Sequence, residues 1–314
     1  MHTLSALACF PYLRHLSVTS RFTSETFSIV GKDNFKDEER FFPSLEELLL
    51  GNVTGVLALA NLLSLIPPTA LRTISVTYSL SQHPAKELRR LAENIALHPH
   101  ICVLSLRSRE PTVDAVKATD ISILQNLKGL RAVYLDDVLS FTTAECGIFG
   151  LVQHWPDVRT VHIDCTAWRE GGWGECRVFS LGILGDILYK CPRLEQFHAA
   201  MRAVDLPARA PSRVRQRYQG PLRLSVDITS SSFDLEPYDV AESLTSIRPG
   251  IEIICDGDAL FVEEWRNKWI EVNKWAGRIN ATRAAEREGI ESELLEVIGP
   301  EAEAQIVADA EDLS

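Results

Sequence analysis

No stretch of this sequence approaches the roughly 20 consecutive apolar residues that a membrane-spanning helix needs. Nor does it contain a Gly-x-Ser-x-Gly, His-Glu-x-x-His or phosphate-loop frame, so no enzyme is indicated and no cofactor is expected. Seven cysteines are present without one Cys-x-x-Cys pair. An odd set of unpaired spacing fits a reducing compartment better than a disulfide framework. Positive charge is short as well: 32 Lys and Arg face 43 Asp and Glu, for a net charge of −11. That balance argues against general affinity for nucleic acid. Met1 to Phe10 is apolar but lacks a basic leader, so it does not read as a signal peptide. The expectation is a protein of the cytoplasm or nucleus with no membrane contact.

What the chain does have is a repeated frame, apolar-x-x-apolar-x-apolar. Its clearest copies begin Leu13-Arg-His-Leu16, Leu45-Glu-Glu-Leu48 and Val158-Arg-Thr-Val161, each with Pro two residues ahead. Further copies start at Leu71, Ile101, Leu130 and Leu194, and weaker ones at Leu222 and Ile251. A step of about 30 residues signals a stacked repeat array rather than a closed globule. Inside a copy, the last two apolar positions are two apart and share one face of a short strand. Pro ends a preceding helix and biases its predecessor to extended backbone, so it marks the change from helix to strand.

Between the strands lie helical patterns. Val56 to Ile66 is almost wholly apolar, as a helix between neighbours should be. Pro84 to Leu97 places Leu88, Leu91, Ala92 and Ile95 on one side. Thr142 to Glu145 and Asp239 to Glu242 read as capping boxes, Val178 to Tyr189 as a helix, and Thr112 as a cap for a helix leading to Leu127. One strand and one helix per repeat is the leucine-rich-repeat plan. The expected fold is therefore an α/β solenoid with parallel strands on a concave side and helices outside.

These repeats resemble the irregular leucine-rich repeats of ribonuclease-inhibitor-like horseshoes. "CFPYLRHLSV", "FPSLEELLL" and "CPRLEQF", with a Trp-rich helix near the end, are similar to the repeat region of fungal (basidiomycete-type) F-box proteins. The resemblance covers about residues 3 to 275. The Asn or Cys that usually follows such a strand is absent, since those positions hold Arg21, Val53, Ser79, Arg109, Val138, Thr166 and Arg202. The resemblance implies the substrate-recognition arm of a cullin-type ubiquitin ligase, with a cullin-ligase adaptor as partner only if an F-box lies upstream. The competing reading is a repeat-only inhibitor or assembly scaffold unrelated to ubiquitin; a third is an enzyme with an unrecognised site.

The domain reading is a repeat array of about seven to nine units over 1–257, a Trp-rich capping helix over 258–290 opened by Asp258, and an acidic flexible tail over 291–314. Trp265, Trp269 and Trp275 lie at helical spacing in the second of these, and from Asp258 onward 14 acids face 6 bases. The apolar run Leu4, Leu7, Ala8 and Phe10 reads as the end of a helix, which predicts a folding unit that begins upstream of Met1.

For function, the strand residues beside the inward apolar pair should project from the concave face. The expected partner-binding row is His15, Glu47, Arg107, Tyr134, Asp136, His162, Asp164 and His198, with Tyr134 as the best anchor. Trp168 and Trp173, in Trp-Arg-Glu-Gly-Gly-Trp-Gly, are loop-contact candidates because Trp is enriched at interface hot spots. The excursion at residues 20–41 and the Arg-rich 202–220 read as solvated loops. Three groupings carry chemical residue types: His162, Asp164 and Cys165 with His154 and Cys176; His98 and His100 with Cys102; and Asp136 with Asp137. None matches a zinc spacing or supplies an oxyanion hole.

Overall fold

Six strands are entered through a Pro-containing four-residue turn whose fourth residue donates its N–H to the carbonyl of the first. Leu13 bonds Phe10, Leu45 bonds Phe42, Ile101 bonds His98, Val158 bonds Trp155, Leu194 bonds Cys191 and Ile251 bonds Arg248. Pro occupies the second position in all six because its fixed φ suits that place in a turn. In the last turn Gly250 follows Pro249 at φ 79, a conformation that glycine adopts without steric cost.

The computed structural model describes residues 10–19, 22–23, 42–79, 84–109, 118–138, 150–164, 179–199, 201–203, 206, 222–227, 235–256 and 263–298. Its elements are β1 (His15–Val18), β2 (Phe22–Thr23), β3 (Glu47–Thr54), α1 (Val56–Leu65), β4 (Thr73–Ser79), α2 (Pro84–Ala96), β5 (Val103–Ser108), a 3-10 helix (Ala118–Asn126), β6 (Ala132–Asp136), β7 (Thr160–Asp164), β8 (Phe179–Ser180), α3 (Leu181–Lys190), β9 (Gln196–Ala199), β10 (Met201–Arg202), β11 (Leu222–Asp227), α4 (Pro237–Ile247), β12 (Ile251–Asp256) and α5 (Glu263–Ile298). Nine strands make one all-parallel sheet in the order β1-β3-β4-β5-β6-β7-β9-β11-β12, which is also their chain order. The short β2 joins the far end of β3, and β8 pairs with β10.

The register places equivalent frame positions on one rung. Leu16, Leu48, Ile74, Leu104, Val133, Val161, Phe197, Leu224 and Ile253 align across the sheet. All nine are buried, and they join a single apolar core with the helices. Burying one such side chain contributes about 1.5–3 kcal/mol. The last two frames are out of step by one residue: Leu224, not Leu222 plus three, stands beside Phe197. Leu222 and Ile251 are themselves inward strand positions, level with each other, which is why they looked like frame starts.

The helical segments mostly follow their apolar spacing. α1 and α2 form where expected. Residues 118–126 instead wind as a 3-10 helix, and Ile121, Leu124 and Leu127 are buried at steps of three, the 3-10 period. α4 starts at Pro237 with Glu236 as its extended N-cap and no side-chain cap bond, so Asp239 does not open a capping box. Proline's preset φ at the first helical position takes that role. The Thr142 box, the Thr112 cap and Asp258 lie outside the described residues.

No Asn ladder joins the repeats, yet a different ladder does. At four of these six turns the opening residue reaches back to a carbonyl of an earlier unit; Phe10 and Phe42, which open the other two, carry no donor. His98 Nε2 lies 3.1 Å from the Leu63 oxygen, Trp155 Nε1 donates to Leu124 at 3.0 Å, and Cys191 Sγ donates to Val152 at 3.3 Å. Each acceptor also takes the backbone N–H three residues on, from Ile66, Leu127 and Trp155. A carbonyl has two lone pairs, so one serves its own turn and the other its neighbour. Arg248, 1 % exposed, closes the series on Pro192 and Leu194.

At the far edge α5 packs against β12 and α4 through the buried Trp269, Val272 and Ala276. Asn273 Oδ1 accepts the Ile253 N–H at 3.2 Å, so the helix also satisfies part of an edge strand's backbone. Among the described residues no helix is long and apolar enough to cross a membrane.

Candidate functional site

Parallel sheets are ordinarily covered on both faces. Here burial alternates along the strands, so one face carries the core and the other is only half-shielded. Strand alternation and register then decide which polar side chains on the open face become neighbours.

The middle rung of that face reads Ser105, Tyr134, His162, His198, Ser225 across β5, β6, β7, β9 and β11. Adjacent strands lie about 4.8 Å apart, which brings like residues into stacking range. The rings of His162 and His198 stack at 4.0 Å between centroids and 4° between planes. Tyr134 flanks His162 at 6.0 Å, tilted by 37°. On the other side His198 Nδ1 is 2.8 Å from Ser225 Oγ.

One rung further along, Arg107 and Asp136 are neighbours, followed by Asp164. Arg107 donates from Nε and Nη2 to Asp136 Oδ2, at 2.9 and 2.7 Å. Asp136 Oδ1 faces His162 Nε2 at 3.3 Å. The carboxylate is nearly buried, with 11 % of its side chain exposed, whereas the guanidinium is 61 % exposed. Asp136 Oδ1 thus lies close to His162 without a hydrogen bond, while Oδ2 anchors Arg107. Charge-assisted bonds of this kind are roughly twice as strong as neutral ones.

Of the expected row, the sheet therefore assembles Arg107, Tyr134, Asp136, His162 and His198. Asp164 holds the register position beside Asp136, and its side chain lies outside the described residues. His15 and Glu47 also share the open face, but on β1 and β3, where they pair with each other at 2.8 Å away from the cluster. Trp168 and Trp173 lie outside the described residues, as do the excursion at 24–41 and most of 202–220. Ser225 is the member that pattern reading missed. Serine carries no apolar or charge signal, and the frame read from Leu222 puts Val226 there, so only the sheet register places Ser225 beside His198.

The other groupings fall apart or change meaning. His98 is buried, and burial lowers its pKa despite the nearby Leu63 and Pro67 carbonyls, which favour the charged ring. His100 and Cys102 instead sit at the strand-entry rim. Asp136 faces the open side, while Asp137 adopts φ 56 at the end of the strand, a left-handed conformation that Asp tolerates. Cys165 and Cys176 lie outside the described residues. Among those described, no three His, Cys, Asp or Glu side chains converge as a metal set. The hydroxyl of Ser225 serves one imidazole and the Asp136 carboxylate lies close to the other. Because the two rings meet face to face, their nitrogens do not link into one relay.

Fold and site together define an α/β protein with one nine-strand all-parallel sheet and an ordered polar cluster on its open face. No family model matches the chain, and no curated protein matches it significantly.

Proposed function

We propose that this chain is a leucine-rich-repeat solenoid serving as a noncatalytic protein-recognition scaffold, with its partner seated on the open sheet face across β5 to β11. The observation that carries this reading is the cluster of Arg107, Tyr134, His162 and His198 on the half-exposed face of a parallel sheet, with Asp136 bound to Arg107 and Ser225 beside His198. Side chains fixed on rigid strands lose little freedom on binding, which lowers the cost of association. Tyr and Arg are also the residue types enriched in interface hot spots. Its motif similarity to fungal F-box proteins extends the proposal to the substrate-recognition part of a ubiquitin ligase in the cytoplasm or nucleus. The F-box that would meet the adaptor is not part of these repeats.

The test compares affinity capture on wild-type protein with capture on the Tyr134→Ala, His162→Ala, His198→Ala variant, matched for melting temperature. A protein retained by the first and lost from the second supports the face assignment. Cullin-adaptor components in the eluate of a chain carrying its native upstream sequence support the ligase role. Equal capture by both proteins would refute the site.

A further inference from the structure

The strand-entry rim has an electrostatic character opposite to the rest of the chain. One residue before each strand, Arg14, Glu46, Arg72, Cys102, Arg131, Arg159 and Glu195 follow one another from β1 to β9. Their backbones form a continuous ladder: Cys102 and Val103 N–H groups bond the Arg72 oxygen, and those of Arg131 and Ala132 bond Cys102. Between β4 and β9 this rim encloses a cavity of about 200 Å³, lined by Arg72, His100, Cys102, Arg131, Arg159 and Arg193 among others. Gly129, also in the lining, leaves space beside Arg131 because it projects no side chain.

Four guanidiniums here face only two carboxylates. Arg193 holds Asp157 at 2.8 Å and Arg159 holds Glu195 at 3.2 Å. Arg72 and Arg131 have no ion-pair partner among the described residues. They stand level, one residue before β4 and β6, two strands apart or roughly 10 Å, so both flexible side chains can close on one group between them. With Arg159 and Arg193 each paired, Arg72 and Arg131 are the two that leave a local excess of positive charge at this cavity, in a protein of net charge −11. Unpaired, they repel one another, and an anion relieves that repulsion. Asp157 and Glu195 each contact one nitrogen of their guanidinium, so neither saturates its Arg. A dianion with several oxygens is what two further forks match.

We propose that this rim cavity is a binding site for a phosphate group, held between Arg72 and Arg131 with Arg159 and Arg193 behind them. The site is separate from the open-face cluster and does not depend on the recognition reading. Titration calorimetry of the whole chain with inorganic phosphate at pH 7.5 tests it, with glycerol 3-phosphate as the ester arm and acetate as the monoanion control. Saturable uptake of one phosphate per chain, at about millimolar Kd or tighter, is expected. Arg72→Gln and Arg131→Gln together should weaken it at least about tenfold, while Arg14→Gln, on the same rim outside the cavity, should not. Tighter binding of the ester identifies a phosphorylated compound as the source, and tighter binding of the free ion identifies phosphate itself. Arg72, Arg131 and Arg14 are exposed at the surface, so equal melting temperatures will show that the variants fold. The proposal is overturned by absence of saturable uptake below about 10 mM, by uptake that survives the double substitution, or by acetate binding as well as phosphate.

Discussion

Replacing Trp155 by Phe tests whether the turn-opening residues bind the repeats together or merely fill space. Trp155 is 1 % exposed, and its indole N–H reaches the Leu124 oxygen at 3.0 Å in the preceding unit. Phe keeps an aromatic ring in the cavity but has no donor. The Leu124 carbonyl still accepts the Leu127 N–H at 3.0 Å, so it is not left wholly unsatisfied. That places the hydrogen-bond loss near the net value of about 1 kcal/mol rather than the full desolvation cost. The smaller ring also leaves unfilled volume, which adds roughly 1 kcal/mol by comparison with other large-to-small core changes. The expected destabilisation is about 2 kcal/mol, against about 3–5 kcal/mol for Trp155→Ala. Urea unfolding followed by far-ultraviolet circular dichroism measures it. In this sheet each main strand pairs only with its neighbours in chain order, so the damage should also be local. Amide exchange should quicken in the 118–163 region before it does at β12 and α5. A Trp155→Phe change within about 0.5 kcal/mol of wild type, or exchange that rises evenly along the chain, would refute the argument.

Acid should weaken the same ladder at His98. Its folded pKa lies below the ordinary 6.5, so between those two values the unfolded chain binds the extra proton and the folded one does not. Stability is then complete above 6.5 and falls as pH drops through it; the advantage of wild type over His98→Gln should shrink across that range, and a pH-independent difference would contradict the mechanism. Cys191, whose thiol is pushed up to about 12 by burial, should resist alkylation at pH 8 in the folded protein and react on unfolding, as read by mass spectrometry of its peptide. Asn273→Ala should remove the acceptor for the Ile253 N–H, lower stability by about 0.5–1 kcal/mol and increase self-association measured by light scattering.

The repeat was legible because one physical rule sets both ends of it. Pro fixes the turn, and the residue two places on is the first apolar residue of the next frame. Every unit must then bury the same side of its strand. The rungs from Leu16 to Phe197 follow the frame without a slip. Leu222 and Ile251 misled for the same reason, since an inward strand residue is as apolar as a frame start. The 3-10 form of residues 118–126 was less visible, because Ile121, Leu124 and Leu127 at steps of three are also acceptable to an α-helix.

The polar cluster was half legible. Frame position alone assigns Tyr134, His162 and His198 to the open face, whereas their mutual contacts depend on which strands become neighbours. Parallel order supplies that: β7 and β9 are adjacent in the sheet although α3 and 31 residues of chain lie between Asp164 and Gln196. For Ser225 adjacency is not enough: the same frame position counted from Leu222 reaches Val226, and only the one-residue shift of register at β11 brings Ser225 beside His198. The turn-opening ladder shows the complementary limit. His98, Trp155, Cys191 and Arg248 share a position, the residue before Pro, but have no residue type in common. What unites them is a side-chain donor that reaches a carbonyl of an earlier unit, one repeat back for His98, Trp155 and Cys191 and two back for Arg248, a property that a search for repeated letters does not detect. A parallel repeat-like sheet without an Asn ladder can thus still join its turns by hydrogen bonds, with the donor coming from a later unit rather than from the turn itself.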